Sequence, residues 1–195
     1  VVNPSWIKRV SSKILAGETV RIGGEWPVAG SPPAGVVWTE YADWDAFLGI
    51  HRTGREGLFL VPRVAVLGVG CRKGTPQEAL ERALEALLQK ESMREEATCA
   101  AATVNLKEEE PGLVAFCRTH GWPLAVFTPE QLRAVQGTFT ASDFVRQVTG
   151  VDNVCERSAV REANGGLLVR KTARDGVSMA LALRPYRRDW RWQNG

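Results

Sequence analysis

The chain has 195 residues, 44% of them hydrophobic and 24% charged, with a formal net charge of +3. That composition suits one sizeable globular domain with a small appendage. It lacks the ~18-residue apolar run of a bilayer span and a charged-then-apolar leader, and its charge is too mild to imply nucleic-acid binding without a patch. The expectation is a cytoplasmic protein. Cys71, Cys99, Cys117 and Cys155 lie far apart with no Cys-x-x-Cys pair, so they read as free thiols rather than as zinc ligands or a disulfide scaffold. The two histidines, His51 and His120, do not make a metal site. His120 precedes Gly121 and reads as a favourable cation near a helix C-terminus.

Residues 1–58 read as a small linker subdomain. Asn3-Pro4 starts a helix carrying Trp6, Ile7, Val10, Ile14 and Leu15 on one face, and Gly17 stops it. Residues 18–22 alternate like a half-buried strand. Residues 23–35 are a glycine- and proline-rich loop, and 35–41 are a second short strand. Residues 43–50 are ambiguous, and 54–57 form a turn.

Beyond Leu58 the pattern alternates. It predicts strand 58–68, helix 76–91, strand 98–104, helix 109–119, strand 123–127 and helix 129–136. A helix capped by Ser142 runs to about Thr149, and a short one covers 156–163. Strands 166–171 and 177–183 are joined across Ala173-Arg174-Asp175-Gly176, whose Asp-Gly step is a turn signal. The fold class is α/β: a mixed, mostly parallel sheet with helices on both faces, preceded by a small α/β linker subdomain. Residues 59–184 form the main domain, and 185–195 a basic aromatic tail. Arg187, Arg188 and Arg191 interleave there with Tyr186, Trp190 and Trp192. A single-strand nucleic-acid arm looks somewhat like this, but a solvated terminus is the expectation.

The run from Leu67 to Pro76, Leu-Gly-Val-Gly-Cys-Arg-Lys-Gly-Thr-Pro, reads as strand, glycine turn and helix. Thr75 is a good N-cap, Pro76 suits the first helical position, and Glu78 would close a capping box. Such a turn presents N–H groups at the positive end of a helix, and Arg72 and Lys73 add charge. It matches neither the dinucleotide fingerprint nor a Walker A loop. An anion site and a tight turn that merely bends the backbone both remain open on these residues alone.

The same run resembles the opening of the C-terminal domain of the CbiG family of cobalamin biosynthesis proteins. Further stretches match in order: Lys107-Glu108-Glu109-Glu110 with its neighbours, Phe127-Thr128-Pro129-Glu130, Val151-Asp152-Asn153-Val154-Cys155-Glu156, and the hairpin strands around Lys171 and Ser178. The resemblance covers about residues 59–184, while residues 1–58 look like the region between the family's N- and C-terminal domains. Nothing here matches the N-terminal domain.

The resemblance implies a cobalt-corrinoid substrate rimmed by carboxylates. It implies cobalt-precorrin-5A hydrolase activity, in which water opens a δ-lactone, acetaldehyde leaves and cobalt-precorrin-5B forms. Cobalt arrives inside the substrate, so no separate cofactor and no protein metal site are expected, nor a nucleic-acid or membrane partner; a homodimer stays open. Gly68, Gly70, Cys71, Arg72, Lys107 and Lys171 are the expected substrate-binding residues. Gly70 and Cys71 would offer N–H groups to an oxyanion, and Glu110 and Glu156 would line one groove and divide the proton transfers. Cys71 sits before a helix start beside two cations, which lowers a thiol pKa; packing is the expected role because no activating base is apparent. The alternative is a non-catalytic tetrapyrrole-binding or carrier module like CobE, which resembles the C-terminal domain alone.

Overall fold

The computed structural model describes residues 1–26, 28–40, 43–142, 147, 149–187 and 189–190. The chain divides into two units, one from Val1–Pro62 with the residues from Arg187 on, the other from Arg63–Tyr186.

In the first unit, helix α1 (Ser5–Leu15) ends at Gly17, which adopts the left-handed φ of 75°. Four short strands follow: β1 (Val20–Gly24), β2 (Val36–Trp38), β3 (Ala46–Leu48) and β4 (Leu58–Leu60). All pair in parallel, in the order β2-β1-β3-β4. The ambiguous stretch 43–50 therefore contains a central strand. Trp44, Phe47 and Phe59 form an aromatic cluster with ring centroids 5.1–6.4 Å apart. Asn3 ties the chain start to β4, accepting from the Phe59 N–H at 2.9 Å and donating to the Gly57 carbonyl. Trp190 N–H donates to the Ala29 carbonyl at 3.2 Å, so the described end of the basic tail joins this unit rather than standing free in solvent.

The single strand expected over 58–68 is two strands in different sheets, β4 and β5 (Ala65–Cys71). Pro62 interrupts it, since it offers no N–H to a ladder. The second sheet adds β6 (Thr98–Val104), β7 (Leu124–Phe127), β8 (Gly166–Arg174) and β9 (Val177–Leu183), in the order β7-β6-β5-β9-β8. Only β9 runs against the other four.

Helices cover both faces of this sheet. On one side lies α2 (Gln77–Lys90), burying Ala79, Leu80, Ala83, Leu84, Leu87 and Leu88, with α3 (Pro111–His120) beside it. On the other lie α4 (Pro129–Arg133) and α5 (Val154–Ala163). A row of small residues in register, Ala102, Gly68 and Ala180, makes a trough for α5. A Cβ added at Gly68 would lie 1.8 Å from the Cys155 carbonyl oxygen. The helix expected from Ser142 to 149 falls mostly on residues outside those described. No described helix is long and apolar enough to cross a membrane.

The capping box expected at Thr75 does not form, and one forms at a helix for which none was expected. Helix α2 starts at Gln77, with Pro76 as its N-cap and no side-chain cap. Thr75 therefore stands too early to cap it, and its hydroxyl donates to the Arg72 carbonyl at 2.8 Å instead. The capping box forms at α4, between Thr128 and Gln131.

Candidate functional site

Open α/β sheets bind ligands beyond the carboxyl ends of their strands. A cavity of about 590 Å³ occupies that place here. It is bounded by the ends of β5 and β6, the start of α5 and the β8–β9 hairpin. Among the described residues, Arg72, Lys73, Lys107, Lys171 and Arg174 line it, against one carboxylate, Asp175. Asp175 pairs with Arg174 at 3.6 Å. Arg72, Lys73 and Lys171 make no ion pair among the described residues. A concave wall with this imbalance focuses positive potential on whatever enters it.

Lys107 is held differently. Its Nζ lies 3.1 Å from Glu110 Oε2, and both side chains are largely buried. The other Glu110 oxygen accepts the Gly74 N–H at 2.6 Å. The glycine turn does receive an anion, but that anion is the protein's own carboxylate. Burial pushes the Glu110 carboxyl up, while the Gly74 N–H and the Lys107 ammonium outweigh it and hold it below the ordinary value. A carboxylate so held is a poor proton donor near neutrality.

Glu156 lies at the first turn of α5 with no exposed surface. Its Oε1 accepts from the Thr140 hydroxyl at 2.8 Å and the Lys171 N–H at 2.7 Å, and its Oε2 accepts from the Thr140 N–H at 2.8 Å. Asn153, the N-cap of α5, accepts from the Glu156 N–H and donates to the Thr140 carbonyl, both at 2.8 Å. Arg157 reaches away from this carboxylate to Asp152. The expectation that Glu110 and Glu156 line one groove is corrected: neither is among the residues lining the cavity.

The expected binding residues separate into two groups. Gly70, Cys71, Arg72, Lys107 and Lys171 all line the cavity. Gly68 does not; it is buried under α5, where only a missing side chain lets the helix approach. Gly70 and Cys71 are strand residues in register with Ser178 and Val177, not part of an open turn. Ser178 donates to the Gly70 carbonyl at 3.2 Å. Cys71 is therefore not at the foot of α2. Burial is the main influence on its thiol and pushes it up, against the opposing pull of Lys107.

Sequence reasoning missed Arg174, Asp175 and Asn153 as lining residues. The hairpin step at 173–176 was legible as a turn, but nothing local says that a turn faces a cavity. Thr140 carried no signal, because its role depends on a carboxylate 16 positions away. Among the described residues no group of three or more His, Cys, Asp or Glu side chains is placed to hold a metal.

Residues 65–182 match the family described as Cobalamin synthesis G C-terminus. The cobalt-precorrin-5A hydrolase of Salmonella typhimurium is 35% identical over 124 residues, which is 64% of this chain and 35% of that protein. That of Priestia megaterium is 28% identical over 132 residues, 67% of this chain and 35% of that protein. The matched stretch thus spans about a third of each curated relative. Among solved structures, CobE, a protein of the cobalamin (vitamin B12) biosynthetic pathway, superposes with a TM-score of 0.59 and 29% identity, over 64% of this chain and 93% of that one. A cobalamin biosynthesis protein G homolog from Sulfolobus solfataricus shares the fold, with a TM-score of 0.54 and 17% identity, over 94% of this chain and 56% of that one.

Proposed function

The chain belongs to the Cobalamin synthesis G C-terminus family, and from that membership we propose that it acts in cobalamin biosynthesis as the corrinoid-binding part of a cobalt-precorrin-5A hydrolase. The observation that carries this reading is the cavity wall, which among the described residues sets five cationic side chains against one carboxylate. A macrocycle rimmed by acetate and propionate groups needs such a wall, because charge-assisted bonds are the strong way to hold carboxylates. Arg72, Lys73 and Lys171, which make no ion pair among the described residues, are the cations that would take them. Cobalt enters as part of the substrate, and no separate cofactor is proposed.

In the reaction, water adds to the lactone carbonyl and the ring C–O bond breaks, leaving a carboxylate and a hydroxyl on the two-carbon unit. That hydroxyl then gives up its proton as the bond from its carbon to the macrocycle breaks, the bonding pair passes to the macrocycle, and the unit departs as acetaldehyde. The chain's own contribution is to bind and orient the macrocycle. Glu110 and Glu156 are held by hydrogen bonds behind the wall, so they shape the site rather than exchange protons with a ligand. This arrangement also favours a second reading, a binding or carrier module of the CobE kind. Incubation of the 195-residue chain with cobalt-precorrin-5A separates the two. Binding with acetaldehyde release supports a complete hydrolase, binding without release supports the carrier, and no spectral change on mixing overturns both.

A further inference from the structure

We propose that Glu156 is a positioning residue of this cavity: its buried carboxylate clamps the segment around Thr140 to strand β8, and so fixes Lys171 in the wall. The inference rests on reading the cavity as the binding place of an anionic macrocycle.

A carboxylate without exposed surface is tolerated only when its oxygens are satisfied. Among the described residues Glu156 has three donors, all neutral, and each belongs to a segment that forms the wall. Lys171 lines the cavity itself, and Thr140 stands two positions before Ser142, which also lines it. Thr140 is held at every polar group: its N–H and hydroxyl donate to Glu156, and its carbonyl accepts from Asn153. On the other side, the pairing of β8 with β9 slips register between Val169 and Thr172. Such a slip frees backbone groups from the ladder and re-aims side chains. Within it, Lys171 gives its N–H to Glu156. The carboxylate thus stabilises the irregularity that presents the Lys171 side chain to the cavity.

The site requires an acceptor at both oxygens. A glutamine would place an N–H₂ group against the N–H of Lys171 or of Thr140, and neither of those can turn to accept. Glu156→Gln therefore breaks the clamp, whereas for a proton-transfer group the same change leaves binding intact. That difference is the basis of the test.

The experiment uses the 195-residue chain and uroporphyrin, an octacarboxylate macrocycle, as the probe. Amide hydrogen exchange is followed in parallel. In Glu156→Gln the Thr140 and Lys171 amides should exchange about 100-fold faster, while the central amides of β5 and β6 keep their protection. The dissociation constant for uroporphyrin should rise about tenfold, the order expected when a bond to a charged group is lost. Because Glu156 acts through Lys171, adding Glu156→Gln to Lys171→Ala should weaken binding by much less than tenfold further. Thr140→Val, which removes one donor, should show a smaller form of the same defect, and Thr140→Ser should bind like the parent. Should Glu156→Gln fail to fold, the Val and Ser variants decide alone. Parent-like exchange at both amides in Glu156→Gln, or parent-like binding by Thr140→Val, overturns the clamp. If the parent ignores uroporphyrin, the reading of the cavity fails, and the exchange measurements still decide the clamp.

Discussion

Glu110 and Gly74 lie 36 positions apart in sequence, yet the carboxylate of one receives the N–H of the other at 2.6 Å. Gly74 has a φ of 74°, a left-handed conformation that glycine adopts without strain. The turn after β5 is thus locked by an anion drawn from the start of α3. Lys107, paired to the same carboxylate, is fixed at the cavity by the same contact.

This contact gives a pH signature. The Glu110 carboxyl is held below its ordinary value of 4.5 in the folded protein. A depressed folded value contributes stability that is present above the unfolded pKa and is lost as pH falls through the folded one. Glu110→Gln should cost ~1.5–3 kcal/mol at neutral pH, as for a lost bond to a charged group. The gap between parent and variant should close on acidification below about pH 4. Urea midpoints across that range measure it; a gap that widens on acidification contradicts the assignment.

Gly68 should tolerate no side chain. An added methyl would meet the Cys155 carbonyl at 1.8 Å, and backbone there cannot yield without moving α5. Gly68→Ala should destabilise by ~1–3 kcal/mol or more, as overpacking does. Gly70→Ala is the comparison, since its added Cβ would meet the hydroxyl of Ser178 at 2.6 Å, which can rotate away. Thermal melts of the two should rank them in that order; equal melting points would show that α5 is not seated on the trough.

Removing cations from the cavity should weaken uroporphyrin binding. Arg72→Ala and Lys171→Ala should each cost ~1–3 kcal/mol of affinity. The loss should shrink at high salt, because these side chains reach solvent and screening acts within ~10 Å at 0.1 M. Asp175→Asn removes the one lining carboxylate among the described residues and should strengthen binding. Titrations at two ionic strengths test all three, and parent-like affinity in both cation variants would remove the cavity from consideration.

The thiols should be slow nucleophiles. Burial pushes the Cys117 and Cys155 thiols up to about 11 and raises that of Cys71. At neutral pH the thiolate fraction is therefore small, and iodoacetamide should modify Cys71 more slowly than a free cysteine. Cys71→Ala should keep most uroporphyrin binding. Rapid alkylation that abolishes binding would give Cys71 a larger part than packing.

His120 supplies a signature of the opposite sign. Burial disfavours its charged form, but hydrogen bonds to Glu81 at 2.9 Å and Glu95 at 2.6 Å outweigh burial and raise its pKa above 6.5. The ring also stacks on Trp122, with centroids 4.4 Å apart. A raised folded value gives stability that is fully present below the unfolded pKa and is lost as pH rises through the folded one. The parent's advantage over His120→Gln should therefore be full below about pH 6 and fall as pH rises above the ordinary histidine value. Melting temperatures over that rise measure it, and a constant difference would mean that the imidazole is not charged in the fold.

How legible this was depended on the range of each interaction. The periodicity of α2 and the Asp-Gly step before β9 are local, and both elements form where the sequence predicts them, whereas the apolar run of β5 was legible but its bounds, Ala65–Cys71, were not. Positive charge at Arg72, Lys107 and Lys171 was equally plain. The resemblance supplied their convergence, which separations of 35 and 64 positions hide from any local pattern. What escaped were the surroundings of the carboxylates. A motif shows Glu110 and Glu156 by residue type and not which donors will face them. Gly68 likewise passed for a ligand-facing glycine, since only the register with Ala102 and Ala180 shows that its open side receives a helix.

The reversed strand has a consequence for how the protein is made. β5 emerges early, yet its partner on one side, β9, pairs Leu183 with Ala65 across more than half of the chain. Until that partner is synthesised, one edge of β5 carries unsatisfied N–H and C=O groups, and an open, apolar edge invites pairing with another nascent chain. The second unit can close its sheet only when nearly all of its residues have left the ribosome, and so long-range closure sets its folding rate. Premature release of the chain just before Val177 would leave an aggregation-prone fragment rather than a smaller stable protein.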